Sequence, residues 1–268
     1  MRALSELRAR RSVVIGYHGV AGPQARGEDP ENLRVSESSF RRQLELLRAA
    51  GFRFVTVAGL AQAAEAETPP PGLAALSFDD GMEDNHSVLL PLLEEYEIPA
   101  TVYVTTGMIG RPNPWLKGER MMTELELVRL TAAGVEIGAH TVSHPDLSAL
   151  SREDCRREMA ESRDRLERLT GSPVRTFAYP FCRYGEAAVA AAADAGFLAA
   201  VTCGGRGSWR LHELKRAMIT GKDGLPTFLL KLADAYQPLF DSLAGRAARA
   251  GTRGTRRRLR AIGLRSSR

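Results

Sequence analysis

From Arg11 to about Leu239, short apolar runs alternate with longer amphipathic segments, and that alternation limits the fold more than any other feature of the chain. The runs 11–17, 52–57, 73–78, 100–104, 135–139, 175–179, 197–202 and 217–220 read as strands. A helix is expected from Ser38, as N-cap, to Ala50, with Phe40, Leu44 and Leu47 on one face and Gly51 ending it. Further helices are expected over 85–96, over 121–133 with Thr123 as N-cap, over 151–169 closed by Gly171, over 186–195 and over 227–239. Strands separated by helices imply a parallel sheet covered by helices. Periodicity alone leaves both an open doubly wound sheet and a closed barrel.

Length suits one large α/β domain or two small ones, and no fixed-period repeat is visible. The net charge of +5 hides an asymmetry. Residues 246–268 hold nine arginines and no acid, leaving 28 basic against 32 acidic residues in 1–245, a net of −4. The expected division is therefore a folded domain over 1–245 and an Arg-rich tail over 246–268. Cys155, Cys182 and Cys203 suggest neither a disulfide framework nor a close-spaced metal motif, which points to a reducing compartment. The apolar stretch 12–16 is too short for a signal peptide, and no run has the ~18 apolar residues of a membrane span. The expected location is cytoplasmic, with possible attachment to the inner face of the membrane.

Chemistry-bearing residues follow several of the strands: His18, Asp79, Asp80, His140 and Tyr179. Active sites gather at such positions in barrels, and open α/β sheets share the tendency. In Ser77-Phe-Asp-Asp-Gly81, adjacent residues at a strand end should point to opposite sides, so one carboxylate can bind metal while the other serves as base. The same tripeptide also makes an ordinary turn. In His140-Thr-Val-Ser-His144, the preceding strand and Pro145 favour a tight loop. Thr141 stands where His-Glu-x-x-His zinc proteases carry glutamate, which argues against that class. One aspartate and two histidines give a three-ligand site with an open position, as catalytic zinc requires. Co2+, Ni2+ or Fe2+ would accept the same donors.

These two motifs, with Pro99-Ala-Thr-Val-Tyr-Val104 and Phe177-Ala-Tyr-Pro-Phe-Cys-Arg-Tyr184, resemble the polysaccharide deacetylases, carbohydrate esterases of the chitin-oligosaccharide deacetylase type. The similarity runs from about Val14 to Leu232. It implies a distorted (β/α) barrel of about seven strands and a metal-dependent N-deacetylase acting on an N-acetylated glycan or glycolipid. Asp79 would be the general base, Asp80, His140 and His144 the metal ligands, and the Phe181 N–H an oxyanion donor, with Tyr179 beside it in the substrate-binding set.

The chain departs from that pattern at Ala178, where the family carries an arginine that orients the base, and at Cys182, where glycine is usual. The late Leu-x-His motif that supplies the general acid is missing, and His212 fits it poorly, reading as a surface residue. Tyr17-His18-Gly19-Val20, with Val35-Ser36 and Phe40-Arg-Arg-Gln43, resembles the branch containing the poly-N-acetylglucosamine deacetylases and nominates His18 as acid. Arg216 would replace the lost arginine. His86 reads as a helix-cap or surface residue, and Trp115 and Trp209 as sugar-stacking or packing groups. Two further readings are a non-catalytic carbohydrate-binding relative and a nucleic-acid-associated protein. The tail has no aromatic residue for stacking on bases, so no nucleic acid is expected, and contact with anionic lipid is the better expectation.

Overall fold

A computed structural model describes residues 2–234 except 24, 26–27, 65–68 and 205–208. The Arg-rich tail, the boundary expected at residue 245 and the end of the last expected helix lie outside the described residues. In chain order the elements are α1 (Arg2–Arg10), β1 (Val13–Tyr17), β2 (Gly19–Ala21), β3 (Arg34–Ser36), α2 (Glu37–Ala49), β4 (Arg53–Val55), α3 (Val57–Ala63) and β5 (Leu73–Phe78). A single π-helical turn (Asn85–Leu89) leads into α4 (Leu90–Tyr96), β6 (Thr101–Val104), α5 (Glu124–Ala132), β7 (Glu136–Ala139) and α6 (Arg152–Thr170). The order ends with β8 (Thr176–Ala178), α7 (Glu186–Asp194), β9 (Ala199–Cys203), β10 (Leu214–Met218) and α8 (Leu225–Leu232).

Seven parallel strands close on themselves in the order β1-β10-β9-β8-β7-β6-β5, with β5 returning to β1. The closing pair is in register from Val13↔Ala74 to Tyr17↔Phe78. The other edge of β5 is shared: β4 pairs with its start at Leu73 and β6 with its end at Ser77. The expected barrel is therefore the observed one, and closure removes the sheet edges that an open sheet would leave.

Strand side chains alternate between two faces, and the core divides accordingly. Ile15, Leu76, Val102, Ile137 and Phe177 point outward into the layer packed by helices. Val14, Ala75, Tyr103, Ala178, Val201 and Leu214 fill the barrel with the help of Val57, Leu60 and Ala61 of α3. That helix plugs the end of the barrel where the strands begin. Its first N–H groups are received inside: Val57 N–H donates to Thr101 Oγ1 at 3.0 Å and Ala58 N–H to Glu136 Oε2 at 3.0 Å. Glu136 also accepts from the hydroxyls of Thr101 (2.9 Å) and Thr176 (2.6 Å).

Several expectations shift in detail. Ser36, not Ser38, caps α2, because β3 keeps the chain extended up to Ser36, whose hydroxyl accepts from Ser39 N–H. The helix expected from Asn85 opens instead as a π turn. The last strand lies at 214–218 rather than 217–220, since Lys215 and Arg216 interrupt its apolar pattern while its backbone pairs with β9. The elements α1, β2, β3 and α3 had no sequence signal of their own. By contrast, β5, the Thr123 cap and the Ser151 and Gly171 boundaries of α6 agree with expectation.

Gly138 in β7 faces the barrel interior, where a Cβ would overlap the Tyr103 ring on the neighbouring strand. Gly138→Ala is therefore expected to cost about 1–3 kcal/mol as an overpacked core does. The measurement is the urea unfolding midpoint, which should fall without a change in slope.

Candidate active site

At the carboxyl ends of the strands, a cleft of about 230 Å³ is lined by His18, Asp79, Asp80, Trp115, His140, His144, Tyr179 and Phe181, with Glu31, Leu33, Cys182, Cys203 and Met218 completing the wall. Asp79 continues the ladder beyond β5, its N–H donating to Tyr17 O at 2.9 Å. The backbone then turns through left-handed conformations at Asp80 (φ 74°) and Gly81 (φ 80°). This turn breaks strand alternation, so both carboxylates enter the same cleft rather than pointing to opposite sides.

The two acids avoid repulsion through separate partners. Arg216, 1% exposed, grips Asp79 with two bonds of 2.7 Å, Nη1 to Oδ1 and Nη2 to Oδ2. Its Nη1 also reaches Ser77 Oγ at 3.2 Å and its Nε reaches Thr202 O at 3.4 Å. Burial pushes the Asp79 carboxyl upward, but the charge and bonds of Arg216 outweigh it and hold the group below the usual carboxylate range. Asp80 Oδ1 instead lies 3.4 Å from His140 Nε2 and 3.3 Å from His144 Nε2. It too is held low, with burial opposed by the two imidazoles.

The imidazoles are aimed from outside the cleft. His140 Nδ1 lies 2.7 Å from Ala178 O; as donor to that carbonyl it leaves Nε2 with a free lone pair. His144 sits on a loop held by α6, where Glu158 accepts from Val142 N–H and Ser143 N–H, both at 2.9 Å, and from the Ser143 hydroxyl at 2.7 Å. Thr141 (φ 66°) and His144 (φ 61°) are also left-handed, and Thr141 Oγ1 accepts from His144 N–H at 3.0 Å. Strained backbone of this kind persists where surrounding structure fixes it.

Donor atoms of Asp80, His140 and His144 all lie within 4.8 Å of one another. A tetrahedron with bonds of ~2.1 Å has edges of about 3.4 Å, close to the observed oxygen–nitrogen separations, so the trio fits a divalent ion such as zinc. Glu83, His86 and Glu126 form a second group of that spacing. There the Arg120 guanidinium already engages Glu126 with two bonds of 2.7 Å, and His86 is half-buried beside them.

The remaining expected residues are placed as follows. His18 is half-buried at the cleft, and its Nδ1 has no hydrogen-bond partner among the described residues. Phe181 is left-handed (φ 55°) and 57% exposed at the rim, its ring 4.5 Å from that of His144; Trp115 flanks the same imidazole at 5.1 Å. Tyr179 lines the cleft, but its hydroxyl donates to His212 O at 2.9 Å, so that group is engaged within the protein. His212 is half-buried against Phe197 O, away from the cleft, and Trp209 packs on the barrel-interior cluster. Cys182 and Cys203 form a disulfide in the cleft wall across 21 residues of sequence. This corrects the expectation of no pairing and removes the cysteine argument for a reducing compartment. Parallel pairing of β8 with β9 brings the loop after β8 to the end of β9, a proximity that cysteine spacing does not reveal. Glu158 and Asn85 also had no sequence signal.

The sequence profile described as "Polysaccharide deacetylase" matches residues 66–200, half of the chain. The chain belongs to the polysaccharide deacetylase family. YxkH of Bacillus subtilis, named after the same family, is 24% identical over 190 residues, covering 70% of this chain and 63% of that protein. A poly-beta-1,6-N-acetyl-D-glucosamine N-deacetylase of Staphylococcus aureus is 29% identical over 119 residues, 44% of this chain and 40% of the relative. The matches thus span less than two thirds of these relatives. In structure, the deacetylase PplD of Streptococcus pyogenes, solved in complex with acetate, has a TM-score of 0.70 at 26% identity over 83% of this chain and 98% of its own. IcaB from Ammonifex degensii shares the fold, with a TM-score of 0.68 at 23% identity over 84% and 97%.

Within this deacetylase fold Ala178 stands where an arginine is expected, and Arg216 reaches Asp79 from another strand. Ala178 on β8 and Arg216 on β10 both face the barrel interior, and the small side chain leaves that interior to the guanidinium. Breaking a buried pair costs about 3–5 kcal/mol because one charge is left uncompensated. Arg216→Met should therefore lose about that much stability at pH 7, and much of it should return in the Arg216→Met/Asp79→Asn double variant. Because the Asp79 carboxyl is held low, its contribution is complete above the unfolded value of ~3.9 and is lost as pH falls further. Denaturant titrations of the three proteins at pH 7 and pH 3 check both points.

Proposed function

We propose that this protein is a metal-dependent hydrolase that removes the N-acetyl group from an acetylated amino sugar of a polysaccharide, oligosaccharide or lipid-linked glycan. The observation that carries the reading is one cleft holding an arginine-gripped carboxylate, Asp79, beside the three donors of Asp80, His140 and His144. Membership of the deacetylase family supports the reaction class, and the three-donor geometry supports a divalent ion, zinc first, with Co2+, Ni2+ or Fe2+ also suited to it. When bound, such an ion supplies Lewis acidity toward the acetyl carbonyl and makes water a stronger nucleophile at neutral pH.

The chain's own groups do the rest. Asp79, ionised and fixed by Arg216, takes a proton from the attacking water. The Phe181 N–H, in the third motif, serves as a donor to the oxyanion of the tetrahedral adduct. The carbon–nitrogen bond then breaks, acetate forms, and protonated His18 gives its proton to the departing amine. Phe181 and Trp115, either side of His144, offer apolar faces to the sugar ring. The loss of the third-motif arginine favoured a non-catalytic, carbohydrate-binding relative; Arg216 on Asp79 weighs against that reading. For the nine arginines of 246–268 we propose contact with anionic lipid, about 1 kcal/mol per charge near a membrane, which would bring the enzyme to a lipid-linked substrate.

Acetate release from a panel of N-acetylated sugars, free and lipid-linked, tests the reading. Asp79→Asn is expected to lower kcat by ~10²–10⁴-fold while keeping metal stoichiometry, and His144→Ala to lose the metal. Undiminished acetate release by Asp79→Asn would refute the assignment of the base.

A further inference from the structure

His18 lies between the end of β1 and the start of β2, and its Nδ1 has no partner among the described residues. With no bond at Nδ1 to tether the ring, the placement of the His18 backbone bears on where the imidazole sits. That backbone is held from the turn following the double aspartate. Asn85 is fully buried, and its Nδ2 donates to His18 O at 3.0 Å and to Asp84 Oδ1 at 2.9 Å. The next residue, Gly19, lies so close to the Asp84 carboxylate that a Cβ would overlap both oxygens. Burial, reinforced by Glu83 and Glu119 against the charge of Arg34, pushes the Asp84 carboxyl up to about 8. It is therefore mostly protonated at neutral pH and can sit against Gly19 without a cation directly bound to it.

We propose that Asp84 and Asn85 are positioning residues that place the His18 imidazole at the cleft, through the Asn85 bond to the His18 carbonyl and the seat of Gly19 on the Asp84 carboxylate. This rests on the reading of His18 as the acid for the leaving amine. The physical consequence is that one short segment, 79–85, carries the base and a metal ligand at one end and fixes the acid at the other. The distance between base and acid then depends on a single rigid turn rather than on independent loops. Asn85 opens the π-helical turn, and its amide lies against the His18 carbonyl. Small displacements are costly in such a site: ~1 Å can lower the rate 10²-fold.

The test uses two substrates on the metal-loaded full chain. One is an N-acetylated amino-sugar oligomer, whose amine must be protonated to leave. The other is 4-nitrophenyl acetate, whose phenolate leaves without a proton. Asn85→Ala is expected to lower kcat for the amide by ~10–10²-fold with KM little changed, and to leave ester turnover within about 3-fold. Gly19→Ala should do the same by displacing the Asp84 carboxylate. His18→Ala should show the same selectivity with a larger loss of ~10²–10⁴-fold, and adding Asn85→Ala to it should cost nothing more. Equal losses on ester and amide for Asn85→Ala, or an additive loss in the double variant, would overturn the positioning role. If His18→Ala itself lost no amide activity, or lost ester and amide equally, the reading of His18 as the acid would fall instead. Melting temperatures of the variants separate both results from failure to fold.

Discussion

The buried ion pair between Asp79 and Arg216 ties the chemistry of this protein to its barrel. A guanidinium in an apolar interior is costly unless it is paired and its remaining donors are engaged. Here Asp79 and Ser77 from the end of β5 and the Thr202 carbonyl of β9 engage it. The same contacts hold a carboxylate ionised beneath the cleft. Removing the arginine would leave a buried acid whose cheapest response is to take up a proton. Stability and the charge on Asp79 thus depend on one pair of bonds.

The rest of the barrel interior is arranged around that pair. Small residues, Gly138 and Ala178 among them, leave room for Tyr103 and Arg216, and the Arg216 guanidinium lies 5.7 Å from the Tyr103 ring centroid. At the opposite end Glu136 receives two threonine hydroxyls and the first turn of α3, which seals the barrel away from the cleft. The cleft end is built from strained loops. Asp80, Thr141, His144, Phe181 and Cys182 all hold left-handed backbone, and Glu158 and the Cys182–Cys203 disulfide brace two of the loops that carry them. One end is packed for stability, and the other is held in costly conformations that turn polar side chains into the cleft.

How much could be read from the residues depended on whether the signal was local. The strand carrying Asp79 was evident because Leu73–Phe78 is uninterrupted and apolar, and α6 because Ser151 and Gly171 mark its ends. The strand carrying Arg216 begins earlier than its apolar run suggests, because Lys215 and Arg216 break that run. The helix α3 was missed because it is short and gains stability only by plugging a barrel. Alternation suggested that Asp79 and Asp80 diverge, and the left-handed Asp80 reversed that. Asn85, Glu158 and the cysteine pair act across 67, 15 or 16, and 21 residues of sequence, respectively, where no motif points.

By itself the sequence determined the alternation of strands and helices, the two short motifs that supply two carboxylates and two imidazoles, and the likeness to the deacetylases. These are local properties, set by side-chain type and spacing along a few residues. Only the tertiary structure decided that Arg216 grips Asp79, that both aspartates share one cleft, and that the His18 carbonyl is held from the turn after them. Those facts depend on barrel closure. It sets β1 against β5 and β10 and brings residues 18, 79, 85 and 216 within bonding reach, whatever their distance along the chain.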